Sequence, residues 1–197
     1  MTNVRKLGSV LAVVATVAVF AVCFRMLAQV IGITSPWLWL LAMFYFLGIA
    51  KVAEPIFMLP MPASLRGIRA SERSGDAYRR LGVHRFGRFL RDSPFRRLNA
   101  SVYTSQAPEA GDLARLSAQA ESAEATHFWA AVLFTPYIAY LFVAGNAGTA
   151  SVFLLVQALF NVYPILHLRV VRARLESIRA RAHQRSVRGS ETAVDDA

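Results

Sequence analysis

Long uncharged blocks alternate with strongly basic ones along the chain. Four of the uncharged blocks have the length a bilayer demands, because a hydrocarbon core about 30 Å thick takes about 20 helical residues. The first is Leu7–Phe24, which contains no charge. The second starts at Pro36, carries Trp37 and Trp39, and stays uncharged to Ala50, ahead of Lys51 and Glu54. The third covers His127–Val143 and stops at Gly145, Asn146 and Gly148; the fourth covers Ala150–Leu168. Backbone groups in lipid must bond within their own segment, so each block is expected to be a helix. Pro55, Pro136 and Pro164 are expected to kink these helices or to mark the membrane boundary. The fold class predicted is all-α. It is a polytopic membrane protein with spans near 7–24, 36–54, 127–143 and 150–168, and residues 1–175 form a single integral membrane domain. A long loop, 62–125, separates the second and third spans, and a basic-then-acidic tail, 176–197, is expected to be flexible.

Composition agrees with that pattern. Of 197 residues 55% are hydrophobic and only 17% charged, where a soluble domain has roughly 25% charged. Such apolarity excludes a disordered chain. One cysteine, Cys23, excludes a disulfide framework and any cysteine-based zinc site. Arg5 and Lys6 precede the first block as they would in a signal peptide, but its eighteen apolar residues are long for that role. Phe20-Ala21-Val22-Cys23 also lacks the small residues that cleavage needs, so a retained anchor is expected.

Net charge is +10, and its distribution sets an orientation. Besides Arg5 and Lys6, eleven arginines lie between Pro62 and Ala125 and seven from Arg169 onward. Both termini and the long loop are therefore expected in the cytoplasm of a bacterial cell, placing twenty of twenty-two basic residues inside the inner membrane. Topology and anionic lipid account for the arginines, and no nucleic acid partner is expected. Within the loop, Tyr78, Leu81, Phe86, Phe89 and Leu90 share one side of a helical wheel over Tyr78–Arg91, opposite Arg80, His84, Arg88 and Arg91. Such a helix either lies among anionic lipid headgroups, with its aromatics in the acyl boundary, or packs on the bundle.

Ionisable groups gather where the third span begins. Glu121, Glu124 and His127 recur every third residue and cover an arc of about 120° at 100° per residue, so they stack on one face. Groups of this kind are costly to desolvate at a membrane and require partners. A short turn joins spans three and four, making them antiparallel neighbours. Arg169, Arg172 and Arg174 are then expected opposite the glutamates, with Asn161, Tyr163 and Gln157 deeper in the fourth span. Glu124-x-x-His127 has the spacing of a di-iron ligand pair but occurs once, and the remaining spans add only Glu54. No metal is expected.

Several of these residues fall into a longer pattern. Tyr78-Arg79-Arg80-Leu81-Gly82-Val83 is followed by Glu121 through His127-Phe128-Trp129, by Phe160-Asn161-Val162-Tyr163-Pro164, and by Arg169-Val170-Val171-Arg172-Ala173-Arg174-Leu175. This pattern resembles the glycosyl-4,4′-diaponeurosporenoate acyltransferase family of bacterial membrane proteins over about residues 78–175. The resemblance implies attachment of a fatty acyl chain to a sugar hydroxyl of a glycosylated carotenoid. One stretch departs: the family's Gln-Arg-Tyr-Asn-Arg reads Leu168-Arg169-Val170-Val171-Arg172 here.

Acyl transfer to a hydroxyl needs a base and a group that stabilises the developing oxyanion. His127 suits the base role, and Glu124 or Glu121 is placed to fix its tautomer. Arg169, Arg172 and Arg174 suit the phosphates of an acyl-CoA or acyl carrier donor, no other cofactor being expected. Asn161, Tyr163 and Trp129 complete the expected substrate contacts. Each residue has a plainer alternative: an ion-paired seam for the glutamates and arginines, a carbonyl-bonded interfacial histidine for His127, an interface anchor for Trp129, and helix glue for Asn161 and Tyr163. Two functions follow. One is a membrane acyltransferase acting on a lipid-linked sugar; the other is a non-enzymatic subunit assembling with another membrane protein or with a second copy of the chain. The lost Gln, Tyr and Asn favour the subunit, and the retained glutamates and histidine favour the enzyme.

Overall fold

The computed structural model describes residues 3–69, 72, 76–94 and 110–195. Parts of the 62–125 loop (70–71, 73–75 and 95–109) and the last two residues of the tail lie outside the described residues. Every regular element among them is helical: α1 Asn3–Ile31, α2 Pro36–Ala53, α3 Ala63–Arg66, α4 Asp76–Arg80, α5 Val83–Asp92, α6 Ala110–Val143, α7 Ala147–Gln157 and α8 Tyr163–Asp195. A five-residue π-helical segment, Ala158–Val162, joins α7 to α8. Four helices are long and apolar enough to cross a membrane, within Leu7–Ile31, Pro36–Ala53, Leu113–Val143 and Ala147–Arg181. The chain is an all-α membrane protein. Three spans run further than the uncharged text: α1 continues past Arg25 to Ile31, α6 begins well before His127, and α8 carries helix through the tail to Asp195.

The chain divides into two compact units. Met1–Met61 and Ser122–Ile165 form the first. Its turns follow from three residues. Gly32, at φ +83°, ends α1 in a conformation that costs a glycine little, and Pro36 opens α2 where no helical N–H is needed. Gly145, at φ +79°, closes α6: its N–H bonds the Phe142 carbonyl at 3.1 Å and the Asn146 N–H bonds that of Leu141 at 2.9 Å, a Schellman motif. Phe153 on α7 is fully buried at the centre of the unit. Rings of Trp37, Phe134 and Tyr137 surround it with centroids 5.7, 5.6 and 6.5 Å away. Met43, Ala130, Ile138, Leu141 and Ala150 complete that core. Small residues such as Ala130 and Ala150 let membrane helices approach closely, where packing and not water exclusion drives association. Helix α1 packs on α2 through stacked Phe20 and Tyr45, 4.1 Å between centroids, while Leu7, Val10, Leu11, Val14 and Val17 remain exposed. Uncovered apolar side chains along a span suit a hydrocarbon solvent.

Pro62–Glu121 and Leu166–Ala197 form the second unit. The amphipathic stretch expected as one helix from Tyr78 is two, α4 and α5, because Gly82 between them takes φ +73°. Tyr78 and Val83 are buried, whereas Leu81 and Phe89 stay exposed together with Arg79, Arg80, Arg85, Arg88 and Arg91. Helix α5 meets α8 at Gly87, where a Cβ atom would stand 2.6 Å from Cε1 of His167. Phe86 turns its edge to the same imidazole, 6.4 Å between centroids. Glycine is required here by close approach.

Gly87→Ala is therefore expected to destabilise the protein by about 1–3 kcal/mol, the usual cost of overpacking. Gly148→Ala, where nothing lies within 4 Å of the added atom, is expected to change little. Thermal unfolding in detergent, followed by circular dichroism, compares the two.

Candidate functional site

Two polar clusters hold the residues singled out in the sequence, one in each unit. In the first unit the organising residue is Pro164. Proline has no N–H, so it cannot donate the bond that a regular helix directs at the carbonyl four residues back, here Phe160. The chain widens into the π-helical turn just before it, with the Tyr163 N–H bonded to the Ala158 carbonyl. π-bulges of this kind occur often at functional sites. His127 of α6 lies beside Asn161 and Phe160, and its Nδ1 and Asn161 Oδ1 are buried polar atoms without a hydrogen-bond partner.

Asn161 is completely buried. Its Nδ2 donates to Gln157 Oε1 at 2.7 Å and to the Met43 sulfur at 3.2 Å. Gln157 Nε2 in turn donates to the Ala131 carbonyl at 2.9 Å and to Thr135 Oγ1 at 3.2 Å. This second partner set lies one turn before Pro136, the other proline inside a span. Side chains of α6 and α7 thus serve the backbone beside Pro136. Glu124 is fully buried on α6, and Tyr163 is half-buried at the start of α8. Trp129 donates from Nε1 to the Pro60 carbonyl at 3.1 Å, which fastens α6 to the segment after α2. Sequence reading noticed Gln157 but gave it no role; its signal was the four-residue spacing to Asn161, one helical turn. Met43 carried no signal, since a thioether in an apolar span reads as core.

In the second unit the organising residue is Arg169. Its guanidinium grips Glu72 twice, Nε to Oε1 at 2.7 Å and a terminal nitrogen to Oε2 at 2.9 Å. It also donates to the carbonyls of Leu65 and Gly67, both at 2.9 Å. Arg172 donates to the Arg66 carbonyl at 2.7 Å and lies 3.6 Å from Glu121, which pairs more closely with Arg66 at 2.8 Å. Arg174 is exposed. Of the three ionisable groups expected on one face, Glu121 is thus engaged by Arg66 and Arg172, while His127 is met by Asn161 and Phe160. Sequence reading missed Glu72, whose signal was a carboxylate isolated in an arginine-rich segment, and Arg66, which nothing distinguished from its neighbours. Among the described residues no three histidine, cysteine or carboxylate side chains converge on a point that could hold a metal ion.

The Arg169 grip sets the electrostatics of this unit. Arg169 holds the Glu72 carboxyl at about 2, against an ordinary 4.5, helped by the Arg69 N–H at 2.7 Å and by Tyr78. Burial pushes the Tyr78 hydroxyl up to about 12, and its 2.8 Å bond to Glu72 Oε1 adds to the shift. A depressed carboxylate contributes its stability above the unfolded value and loses it as pH falls toward the folded one. For Glu72 the contribution is complete above about 4.5 and disappears toward about 2. Tyr78 has the opposite sign: its contribution is complete below about 10 and is lost as pH rises toward about 12. Glu72→Gln is accordingly expected to lower the melting temperature at neutral pH, with the gap from wild type closing as acid titrates the carboxylate. A gap that persists at the acid end would show that the charge is not what Arg169 requires.

Residues 62–181, which contain nearly all of both clusters, match the model of the glycosyl-4,4′-diaponeurosporenoate acyltransferase family. No curated protein and no solved structure matches the chain. Met43 and Pro60, the acceptors on the α2 side, fall outside the matched stretch. Since the match takes in well over half of the residues, the chain belongs to the glycosyl-4,4′-diaponeurosporenoate acyltransferase family.

Proposed function

We propose that the protein is a membrane-embedded acyltransferase that moves a fatty acyl group onto a hydroxyl of a lipid-linked sugar, a carotenoid glycoside or related glycolipid. Family membership supports an acyltransferase-like role. The observation that carries the finer reading is the setting of His127: an imidazole at an apolar span, beside Asn161 and Phe160, with a buried Nδ1 that has no hydrogen-bond partner, within the matched residues. In the proposed reaction His127 takes the proton of the sugar hydroxyl as its oxygen attacks the carbonyl carbon of an acyl thioester. A C–O bond forms and the C–S bond breaks. The proton passes to the departing thiolate of coenzyme A or an acyl carrier, which restores the imidazole. Glu124, buried one turn earlier on α6, or Glu121 is assigned to fixing the tautomer of the imidazole. Arg169, Arg172 and Arg174 are assigned to donor phosphates, with Arg174 the exposed member. Asn161, Tyr163 and Trp129 are assigned to the acceptor side.

The protein is placed in the bacterial inner membrane with both termini and the 62–125 loop in the cytoplasm, an orientation supported by the distribution of basic residues. Exposed arginines of α4 and α5, with exposed Leu81 and Phe89, support contact of that segment with anionic lipid headgroups. A second reading, a non-enzymatic subunit that assembles with another membrane protein or a second copy, is favoured by one observation. Arg169 makes four hydrogen bonds to acceptors of its own chain, as a structural clamp does.

With purified protein in detergent, acyl-CoA and a glycosylated carotenoid, His127→Ala is expected to lower turnover roughly 10²- to 10⁴-fold, the usual contribution of a general base. Glu124→Gln is expected to lower it less. Turnover unchanged in both variants, alongside a reduced melting temperature, would remove the catalytic assignment and favour the subunit.

A further inference from the structure

We infer that Arg66 and Arg172 form a site for a phosphomonoester, the 3′-phosphate of an acyl-CoA donor, and that Glu121 holds its place between them. Naming the donor rests on the acyltransferase reading; the phosphate site itself does not. All of its parts lie in the second unit. The backbone that carries Arg66 is fixed first. Arg169 donates to the carbonyls of Leu65 and Gly67, both at 2.9 Å, and Arg172 donates to the carbonyl of Arg66 at 2.7 Å. Three successive carbonyls are thus taken by guanidinium groups of α8. Glu72 grips Arg169 from the other side through both carboxylate oxygens. Arg66 is therefore aimed by a clamped main chain, and its side chain is what remains to move.

That side chain meets an anion. Nε of Arg66 lies 2.8 Å from Oε1 of Glu121, and a terminal nitrogen of Arg172 lies 3.6 Å from Oε2. The carboxylate turns one oxygen to each guanidinium, as two oxygens of a phosphate group would. Its charge falls short of theirs. Two guanidinium groups carry two positive charges, Glu121 returns one, and a phosphomonoester near neutral pH returns about two. Glu72 cannot make up the difference, because Arg169 takes both of its oxygens. The Glu121 contact is also easily displaced. The Arg66 side chain is 53% exposed, and exposed ion pairs add little to stability. The 3.6 Å gap to Arg172 is too long for a hydrogen bond. Arg172, at 5% exposure, is the fixed donor of the site, and Arg66 is the movable one. Charge also selects the donor. Coenzyme A carries a monoester at its 3′ position, whereas the pantetheine link of an acyl carrier and the headgroup link of most phospholipids are diesters with a single charge. With Glu121 in this role, Glu124 is left to the imidazole.

The test is a thermodynamic cycle on the full-length protein in detergent. Its probes are coenzyme A and the analogue lacking the 3′-phosphate, with calorimetric titration as the readout. Wild type is expected to bind coenzyme A roughly 10- to 100-fold more tightly than the analogue, the worth of charge-assisted hydrogen bonds to a phosphate. Equal affinities overturn the inference. Arg66→Gln keeps the carbonyl that Arg172 uses. It is expected to weaken coenzyme A and leave the analogue unchanged, so that the difference disappears. Equal weakening of both ligands would show that Arg66 does not meet the 3′-phosphate. Glu121→Gln is expected to tighten coenzyme A roughly 2- to 5-fold, the worth of the exposed ion pair it removes; unchanged or weaker binding would overturn the part given to Glu121. Should Arg66→Gln fail to fold, the wild-type ligand pair and Glu121→Gln still decide the matter. Phosphatidic acid, a monoester borne on a lipid, is titrated in the same detergent. Its binding without any binding of coenzyme A would assign the two arginines to lipid and overturn the donor contact. The expected cycle without transferase activity would refute the acyltransferase reading and leave the phosphate site standing, and activity with equal affinities would do the reverse.

Discussion

Hydrocarbon offers a backbone carbonyl nothing to bond with, and two prolines inside spans leave carbonyls of this chain in that position. An unsatisfied polar group in lipid costs several kcal/mol, so each break in helix bonding must be repaired by a side chain. Beside Pro136, Thr135 and Gln157 donate to the Ala131 carbonyl. Helix pairing in the first unit depends on them. Gln157 reaches from α7 to α6, Asn161 reaches from the π-helical turn to Met43 of α2, and the aromatic core around Phe153 fills the space those bonds leave. Individual interhelical bonds in membranes contribute only about 0.6 kcal/mol on average. Their importance is directional: they fix which face of each helix looks inward.

Where the first unit is organised by repair, the second is organised by charge. Arg169 draws Leu65, Gly67 and Glu72 to one guanidinium, and Tyr78 caps the same carboxylate from α4. Planar, bidentate recognition of this kind is a property of arginine that lysine does not share. Next to this clamp stands Leu168, only 3% exposed, at the position where the resemblance implies glutamine. An apolar residue in that buried position requires no partner. The departure from the family is therefore compatible with a well-packed helix.

Hydropathy and charge made the four spans legible, because the bilayer imposes one length and one composition on any segment that crosses it. Glu121, Glu124 and His127 were legible as one face of α6 from spacing alone. What periodicity could not supply was the identity of their partners. Arg66 and Glu72 reach theirs through the path of the chain after α2, which no local pattern encodes. A helical wheel drawn through Tyr78–Arg91 assumes a continuous rod, and Gly82 at φ +73° interrupts it, so the predicted apolar side is divided between buried Tyr78 and exposed Leu81 and Phe89. Pro164 was readable as an irregularity. That it would widen the helix instead of bending it, and so bring Phe160 and Asn161 to His127, depends on three helices at once.

The exposed flank of α1 has a further consequence. This helix attaches to α2 by aromatic stacking, and the apolar window of its span is nowhere buried, whereas α2 contributes Met43 to the polar chain. The two helices therefore differ in what they tolerate. Exchange of α1 for another hydrophobic segment of similar length leaves the interior chemistry with all its neighbours, but exchange of α2 removes the sulfur against which Asn161 is braced. In a bilayer, α1 is accordingly the wall on which a foreign helix could lean without disturbing anything inside.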